Sequence, residues 1–219
     1  MQLSHNELVD LKSSFAKNVI EGIDSFMSQD LENPEYFYST ECLWKVDQEI
    51  GGIGGYCMPS DPTKNPFSAG EKRSLYRPLQ YARSHMDLTD IRKFARPAIE
   101  MSGMHLEAVC RKYLQEKSVI GSLRFQNTTL GKAVERISRL NDFGSDFTDK
   151  LFEFVKIYNL SKHEINQDEA RMRMFNAHDA VVSYFAVRIL GANILRKTSC
   201  EEINNKYEIV PGMISQHTI

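Results

Sequence analysis

The sequence lacks the cysteine spacing of a zinc site or of a redox dithiol. Its four cysteines, Cys42, Cys57, Cys110 and Cys200, are scattered, and no two of them form a CxxC pair. Such pairs provide the ligand spacing of structural zinc sites and the reactive couple of disulfide oxidoreductases. The cysteines are therefore interpreted as reduced, mostly buried thiols, and neither a metal nor a cofactor is expected.

Charge of one sign and long apolar runs are also scarce. The chain has 27 Lys and Arg against 29 Asp and Glu, so no global field draws it to nucleic acid, and any RNA contact must be local. Residues 1–7 lack the basic start and apolar run of a secretory signal. The most apolar segment, Ala180 to Leu195, contains Arg188 and is too short to span a bilayer. These absences predict a cytoplasmic protein without a membrane segment.

Strand patterns are nearly absent, whereas apolar residues recur at helical spacing along most of the chain. Residues 1–50 are predicted to form an N-terminal pair of helices that packs on the main body. Residues 51–86 are predicted to be a Gly/Pro-rich loop region, because its glycines and prolines interrupt both helices and strands. Gly51 to Gly55 lacks the spacing of a phosphate-binding loop, which favours an ordinary irregular loop there.

Helical patterns return after Asp87. Amphipathic stripes predict helices from about 88 to 117, 128 to 140, 145 to 162 and 167 to 197. Pro97 within the first of them implies a kink or a break. The expected fold class is all-α, with residues 87–197 as an antiparallel helical bundle and 198–219 as a loosely packed C-terminal extension.

Three nitrogen-bearing side chains share one helical face near the end of the third of these helices. At about 100° per residue, Lys156, Asn159 and His163 lie within roughly 60° of one another. A cation, an amide and an imidazole can together bind a phosphate and transfer protons at neutral pH, as metal-free phosphodiester cleavage requires. The same residues also suit a solvated helix end, where Lys and His favour the negative pole of the dipole. Residue types alone favour this second interpretation.

A second cationic cluster, Arg171, Arg173 and His178, lies at the start of the last predicted helix. Arg171 and His178 share a face, whereas Arg173 points about 140° away from His178. Arginines near a helix N-terminus oppose the dipole unless acidic residues accompany them, as Asp168 and Glu169 do here. The cluster is a candidate nucleic-acid contact, and a surface ladder of salt bridges is the favoured alternative.

Two carboxylates on the first helix of the bundle are candidate metal ligands. Glu100 and Glu107 flank the turn of His105 and can form a carboxylate pair. No ExxH companion appears on another helix in the right register, so a di-iron bundle site has little support. His105 lies on the apolar stripe and is interpreted as a hydrogen-bonded core or interface histidine.

Between Ile91 and about Leu195 the chain resembles the HEPN superfamily of small prokaryotic helical bundles. The resemblance rests on Ala95-Arg-Pro-Ala-Ile-Glu100 with His105-Leu-Glu107, on Thr129-Leu-Gly-Lys-Ala-Val134, and on Tyr158-Asn-Leu-Ser-Lys-His163. It implies a bundle of the same kind. Many members form dimers that bring two copies of the last motif together, and the catalytic members are metal-independent RNases, often toxins or defence effectors.

Carried over to this chain, the resemblance implies that Asn159 matches the polar position of the motif and that His163 matches its histidine. Tyr158 stands where the family has an arginine, and Lys156 is the nearest cation. This departure favours a motif that binds over one that cleaves.

The predicted function is therefore a HEPN-like binding or regulatory module in a toxin–antitoxin or phage-defence context, acting as a homodimer with a protein or RNA partner. Two alternatives stay open: a metal-independent endoribonuclease with His163 as acid/base, and a structural helical partner in an assembly. Tyr184 and Phe185 on the last helix are expected to be exposed and to offer apolar area for the dimer. The sequence does not identify the substrate, the partner or the biological trigger.

Overall fold

Five helices pack together in the part of the chain that the structure describes. A computed structural model describes residues 71–86, 91–121, 127–163, 175 and 177–198. The helices are α1 (Glu71–Met86), α2 (Ile91–Glu116), α3 (Leu130–Leu140), α4 (Ser145–His163) and α5 (Ala177–Leu195). The all-α prediction is confirmed. The predicted N-terminal helical pair (1–50) and all of the predicted extension after Thr198 lie outside the described residues.

α1 corrects the prediction that residues 51–86 form a loop region, because residues 71–86 are helical. Its buried apolar positions recur at intervals of one helical turn: Leu75, Tyr76, Leu79, Ala82 and Met86. Pro78 lies inside α1. Its missing N–H removes one backbone hydrogen bond, and the packing of α1 on α2 and α5 offsets that loss.

α2 is the central helix, since it contacts each of the other four described helices. It runs without interruption from Ile91 to Glu116 and includes Pro97, so the alternative of a helix broken at this proline is wrong. The prediction that the helix containing Ala95 to His105 packs beside the helix ending at His163 is confirmed by the contact between α2 and α4. None of the described helices is long and apolar enough to cross a membrane.

A short turn joins α3 and α4, close to the position that the sequence predicts between residues 140 and 145. α3 ends at Leu140, and Asn141 takes the left-handed conformation with a φ of 53°. Asparagine tolerates this conformation better than most residues. The chain then enters α4 at Ser145.

Asp142 in this turn links the ends of three helices. The Tyr113 hydroxyl of α2 donates to its carboxylate. The Lys117 ammonium lies 3.0 Å from the same oxygen, and the Lys197 ammonium donates to the Asp142 backbone carbonyl. The hydrogen bonds from Tyr113 and Lys117 hold the pKa of the Asp142 carboxyl below its usual range.

α5 is buried around most of its circumference. Residues 179 to 188 are all buried, including Tyr184 and Phe185, whose rings meet edge to face at a centroid distance of 5.2 Å. The expectation that these two aromatic side chains are exposed is therefore wrong. They point inward because α5 packs on α2, α1 and α4, which leaves it no broad solvent-facing side.

Candidate functional site

Lys156, Asn159 and His163 lie together on the exposed outer face of α4. The opposite face carries the buried residues Leu151, Phe154, Ile157, Tyr158 and Ser161. All three polar side chains are exposed, as the periodicity of the helix requires. One helix alone therefore presents the cation, the amide and the imidazole.

None of these three side chains forms a hydrogen bond or an ion pair with the described residues. Lys156 acts on its neighbour Glu153 through its charge. Burial raises the pKa of the Glu153 carboxyl, and the positive charge of Lys156 partly opposes that rise. The outer face of α4 thus presents solvated side chains that can bind an anion.

Tyr158 lies in the core between α4 and α2. It is 2% exposed, and its ring stacks on Phe154 at a centroid distance of 6.3 Å. A Cβ atom built on Gly103 of α2 would lie 2.1 Å from the Tyr158 ring, so the ring packs directly on the α2 backbone. The side chain therefore points away from the face of His163.

The Tyr158 hydroxyl is held at the edge of this interface. Lys162 donates to it at 3.2 Å and also lies 4.7 Å from the ring centroid. Burial raises the pKa of Tyr158, and the nearby charge of Glu107 adds to the rise, while Lys162 opposes it. A neutral phenol is the stable form, and it carries no positive charge for a phosphate.

Arg96, from the first segment of the resemblance, binds the end of α4 on its buried side. Its Nε donates to the Ser161 backbone carbonyl and lies 3.4 Å from the Glu100 carboxylate. At about 100° per residue, Ser161 is roughly 160° from both Asn159 and His163 around α4. The body of the helix thus separates Arg96 from the exposed face.

The described residues do not show whether the second cationic cluster, Arg171, Arg173 and His178, comes together. Arg171 and Arg173 lie outside them, and His178 lies in the first turn of α5 with its side chain undescribed. Their proposed contact with nucleic acid stays a prediction.

Glu107 and Arg111 have a role that sequence reasoning missed. Glu107 accepts a hydrogen bond from the Leu130 N–H at 2.8 Å and pairs with Arg111 at 2.6 Å. Arg111 donates to the Thr128 carbonyl at 2.5 Å. The i,i+4 spacing of the acid and the base was a visible signal of their pairing. Their target, the N-terminus of α3, was not visible in the sequence.

Among the described residues, no group of three or more His, Cys, Asp or Glu side chains is placed to hold a metal ion. Glu100 and Glu107 are instead used in ion pairs with Arg96 and Arg111.

No protein-family model matches the chain, and comparisons with curated proteins and with solved structures return no match.

Proposed function

We propose that this chain is a HEPN-like helical module that binds or regulates and does not cleave RNA. In this proposal it acts in the cytoplasm as a homodimer, with a protein or RNA partner, in a toxin–antitoxin or phage-defence context. The antiparallel order of α2 to α5 and the N-terminal helical pair (1–50) belong to the same proposal.

The burial of Tyr158 is the observation that carries the proposal. Metal-free cleavage of a phosphodiester needs a proton-transferring group and a cation that stabilises the charge developing on the phosphate. A preorganised donor of this kind contributes about 10²-fold to 10³-fold to the rate. In this chain the position of the family's arginine is filled by a neutral phenol that packs on Gly103.

Lys156 does not restore the missing arginine. It is exposed on a flexible stem, and no hydrogen bond or ion pair with a described residue fixes its position. A lysine held this loosely suits the binding of a phosphate or an acidic side chain better than the stabilisation of a transition state.

Incubation of the protein with single-stranded RNA in EDTA tests the proposal. We expect no cleavage by the wild-type protein. We also expect Lys156→Ala to weaken the binding of a labelled RNA or acidic partner more than the matched surface variant Lys132→Ala does. Robust cleavage that is abolished by His163→Ala, and retained in the control His85→Ala, would overturn the proposal and establish the endoribonuclease.

Light scattering at micromolar concentration tests the homodimer separately. We expect the mass of a dimer, since the resemblance implies that two copies of the motif meet. A strict monomer would contradict this part of the proposal and leave the absence of cleavage unaffected.

A further inference from the structure

α2 meets its four neighbouring helices with only part of its circumference. Five of its residues mark these contacts: Phe94 and His105 towards α1, Val109 towards α5, Gly103 towards α4 and Glu107 towards α3. At about 100° per residue, these five positions occupy an arc of roughly 220° around the helix axis. The remaining arc of about 140° holds none of these contacts.

This remaining arc carries an apolar stripe. Pro97, Met101, Met104 and Ala108 recur at intervals of one turn and lie within about 60° of one another. Met104 is 45% exposed, and the other three are partly exposed. A contiguous exposed apolar surface marks an interaction site, and methionine adapts its shape to a partner. These four residues are called the open side of α2 below.

The beginning of the chain offers a helical face of the same length. Leu8, Leu11, Phe15 and Val19 follow one another at helical spacing and lie within about 80° of one another. This spacing is the pattern by which an amphipathic helix anchors in a groove. The first and last of these residues are eleven positions apart, as are the first and last residues of the open side. Both stripes are therefore about 17 Å long.

The connection of this segment to the bundle lies close to the open side. α1 begins at Glu71, and the carbonyl oxygen of Leu75 lies 2.7 Å from Nδ1 of His105, the neighbour of Met104 in α2. Residues 20–70 join Val19 to α1. As few as six extended residues span about 20 Å, so this connection reaches every point of the open side.

Charge at the edge of the two stripes is complementary. Lys12 lies within the stripe of the N-terminal segment. Glu100, one turn before Met104, borders the open side, and its side chain is 33% exposed. The long stem of a lysine can pack on apolar surface while its ammonium reaches such a carboxylate.

A second copy of the chain fits the open side less well. With a helix width of about 10 Å, the open side covers roughly 170 Å². A specific complex between two proteins buries about 800 Å² on each partner. A segment of the same chain needs less area, because its attachment raises its local concentration to about millimolar.

We propose that the open side of α2 is the docking groove of residues 8–19, which bind there as an amphipathic helix. This inference rests on the part of the proposed function that makes residues 1–50 helical. It is independent of RNA cleavage and of the homodimer.

Photocrosslinking of the full chain tests the occupant of the groove. p-Benzoylphenylalanine in place of Met104 should crosslink to residues 8–19, and the product should have the mass of one chain. The same amino acid in place of Glu135, which is exposed on α3, should give no such product. A product of twice the mass from position 104, which indicates a second copy, would overturn the proposal. So would a crosslink to another segment of the chain, or no crosslink from position 104.

Hydrogen exchange of the full chain separates docking from helicity. We expect the amides of residues 8–19 to be protected in the wild-type protein. Met104→Glu places a charge in the groove and should lower their protection by about tenfold or more, while the amides of α4 keep theirs. Tyr81→Glu changes an equally exposed apolar side chain on α1, 50% exposed, and should leave the protection of residues 8–19 unchanged.

The outcomes of this exchange experiment are distinguishable. Protection of residues 8–19 that survives Met104→Glu would overturn the docking and leave the proposed helicity standing. Absence of protection in the wild-type protein would overturn both. Neither result changes the expected outcome of the RNA cleavage assay or of light scattering.

Discussion

The contact between Tyr158 and Gly103 fixes how closely α4 approaches α2. The ring occupies the space that any side chain at position 103 would fill. A glycine inside a helix normally costs about 0.5 to 1 kcal/mol relative to alanine. Here that cost is offset by an aromatic ring packed on the backbone, where it forms part of the core.

Gly103→Ala should therefore destabilise the protein, although alanine is the better helix former. The added Cβ would lie 2.1 Å from the Tyr158 ring, and such overpacking typically costs about 1 to 3 kcal/mol. The matched control is Gly131→Ala in α3, where the Cβ would lie at an ordinary 3.5 Å from Val155. Urea unfolding should show a loss for the first variant and no loss for the second. An unchanged midpoint for Gly103→Ala would contradict the packing described here.

Residue periodicity predicted which side of each helix is buried but not which residues meet. His105 was correctly interpreted as a hydrogen-bonded core histidine because it lies on the apolar stripe of α2. Lys156, Asn159 and His163 share one face as their spacing predicted. The burial of Tyr158 against Gly103 was not predicted, since one sequence contains no signal of contacts between distant helices.

At the scale of elements, Glu107 and Arg111 connect α2 to the start of α3. Thr129 is the N-cap residue of α3, and its side chain makes no capping hydrogen bond. The Glu107 carboxylate caps the helix instead, because it accepts a hydrogen bond from the Leu130 N–H. A carboxylate at a helix N-terminus is also favoured by the dipole. The cap of α3 is thus supplied by its neighbouring helix.

Glu107→Ala should loosen the first turn of α3. Loss of a cap, with an N–H left unsatisfied, typically costs about 1 to 2 kcal/mol. Hydrogen exchange should accelerate at the amides from Leu130 onward, and the midpoint of urea unfolding should fall. Glu135→Ala, at an exposed position of α3 itself, should leave both unchanged. Equal effects of the two substitutions would argue against a capping role for Glu107.

Helix boundaries were predicted well where turn-forming residues lie between two apolar stripes, as at Leu140 and Ser145 around the α3–α4 turn. They failed at α1, where Pro78 and charged residues concealed the apolar spacing. Pro78 alone strongly disfavours a helix there, and burial against α2 and α5 outweighs it. A single sequence does not show which other helices will pack against a given helix.

At the scale of the whole molecule, α5 belongs to the interior. Its aromatic pair was expected on the surface, where it would have served association. Tyr184 and Phe185 are instead 0% and 1% exposed. Any dimer of this protein would therefore use other surfaces.

Phe185→Ala should act on folding and not on association. Truncating a buried phenylalanine typically costs about 3 to 5 kcal/mol, because it leaves a cavity. The midpoint of urea unfolding should fall strongly, while light scattering of the folded fraction should report the wild-type mass. Tyr81→Ala provides the control, since Tyr81 is 50% exposed and exposed substitutions usually change stability by less than about 0.5 kcal/mol. A change of mass with unchanged stability would place Phe185 at an interface.

The central position of α2 has a consequence for the nascent chain. During synthesis α2 leaves the ribosome before α5, so the side of α2 that packs on α5 lacks this partner until Leu195 has been added. Translation proceeds at about 5 to 20 residues per second, so roughly 80 further residues take several seconds. For that time an apolar side of α2 lacks its α5 partner, and chaperones that bind such surfaces should associate with this protein mainly before α5 emerges.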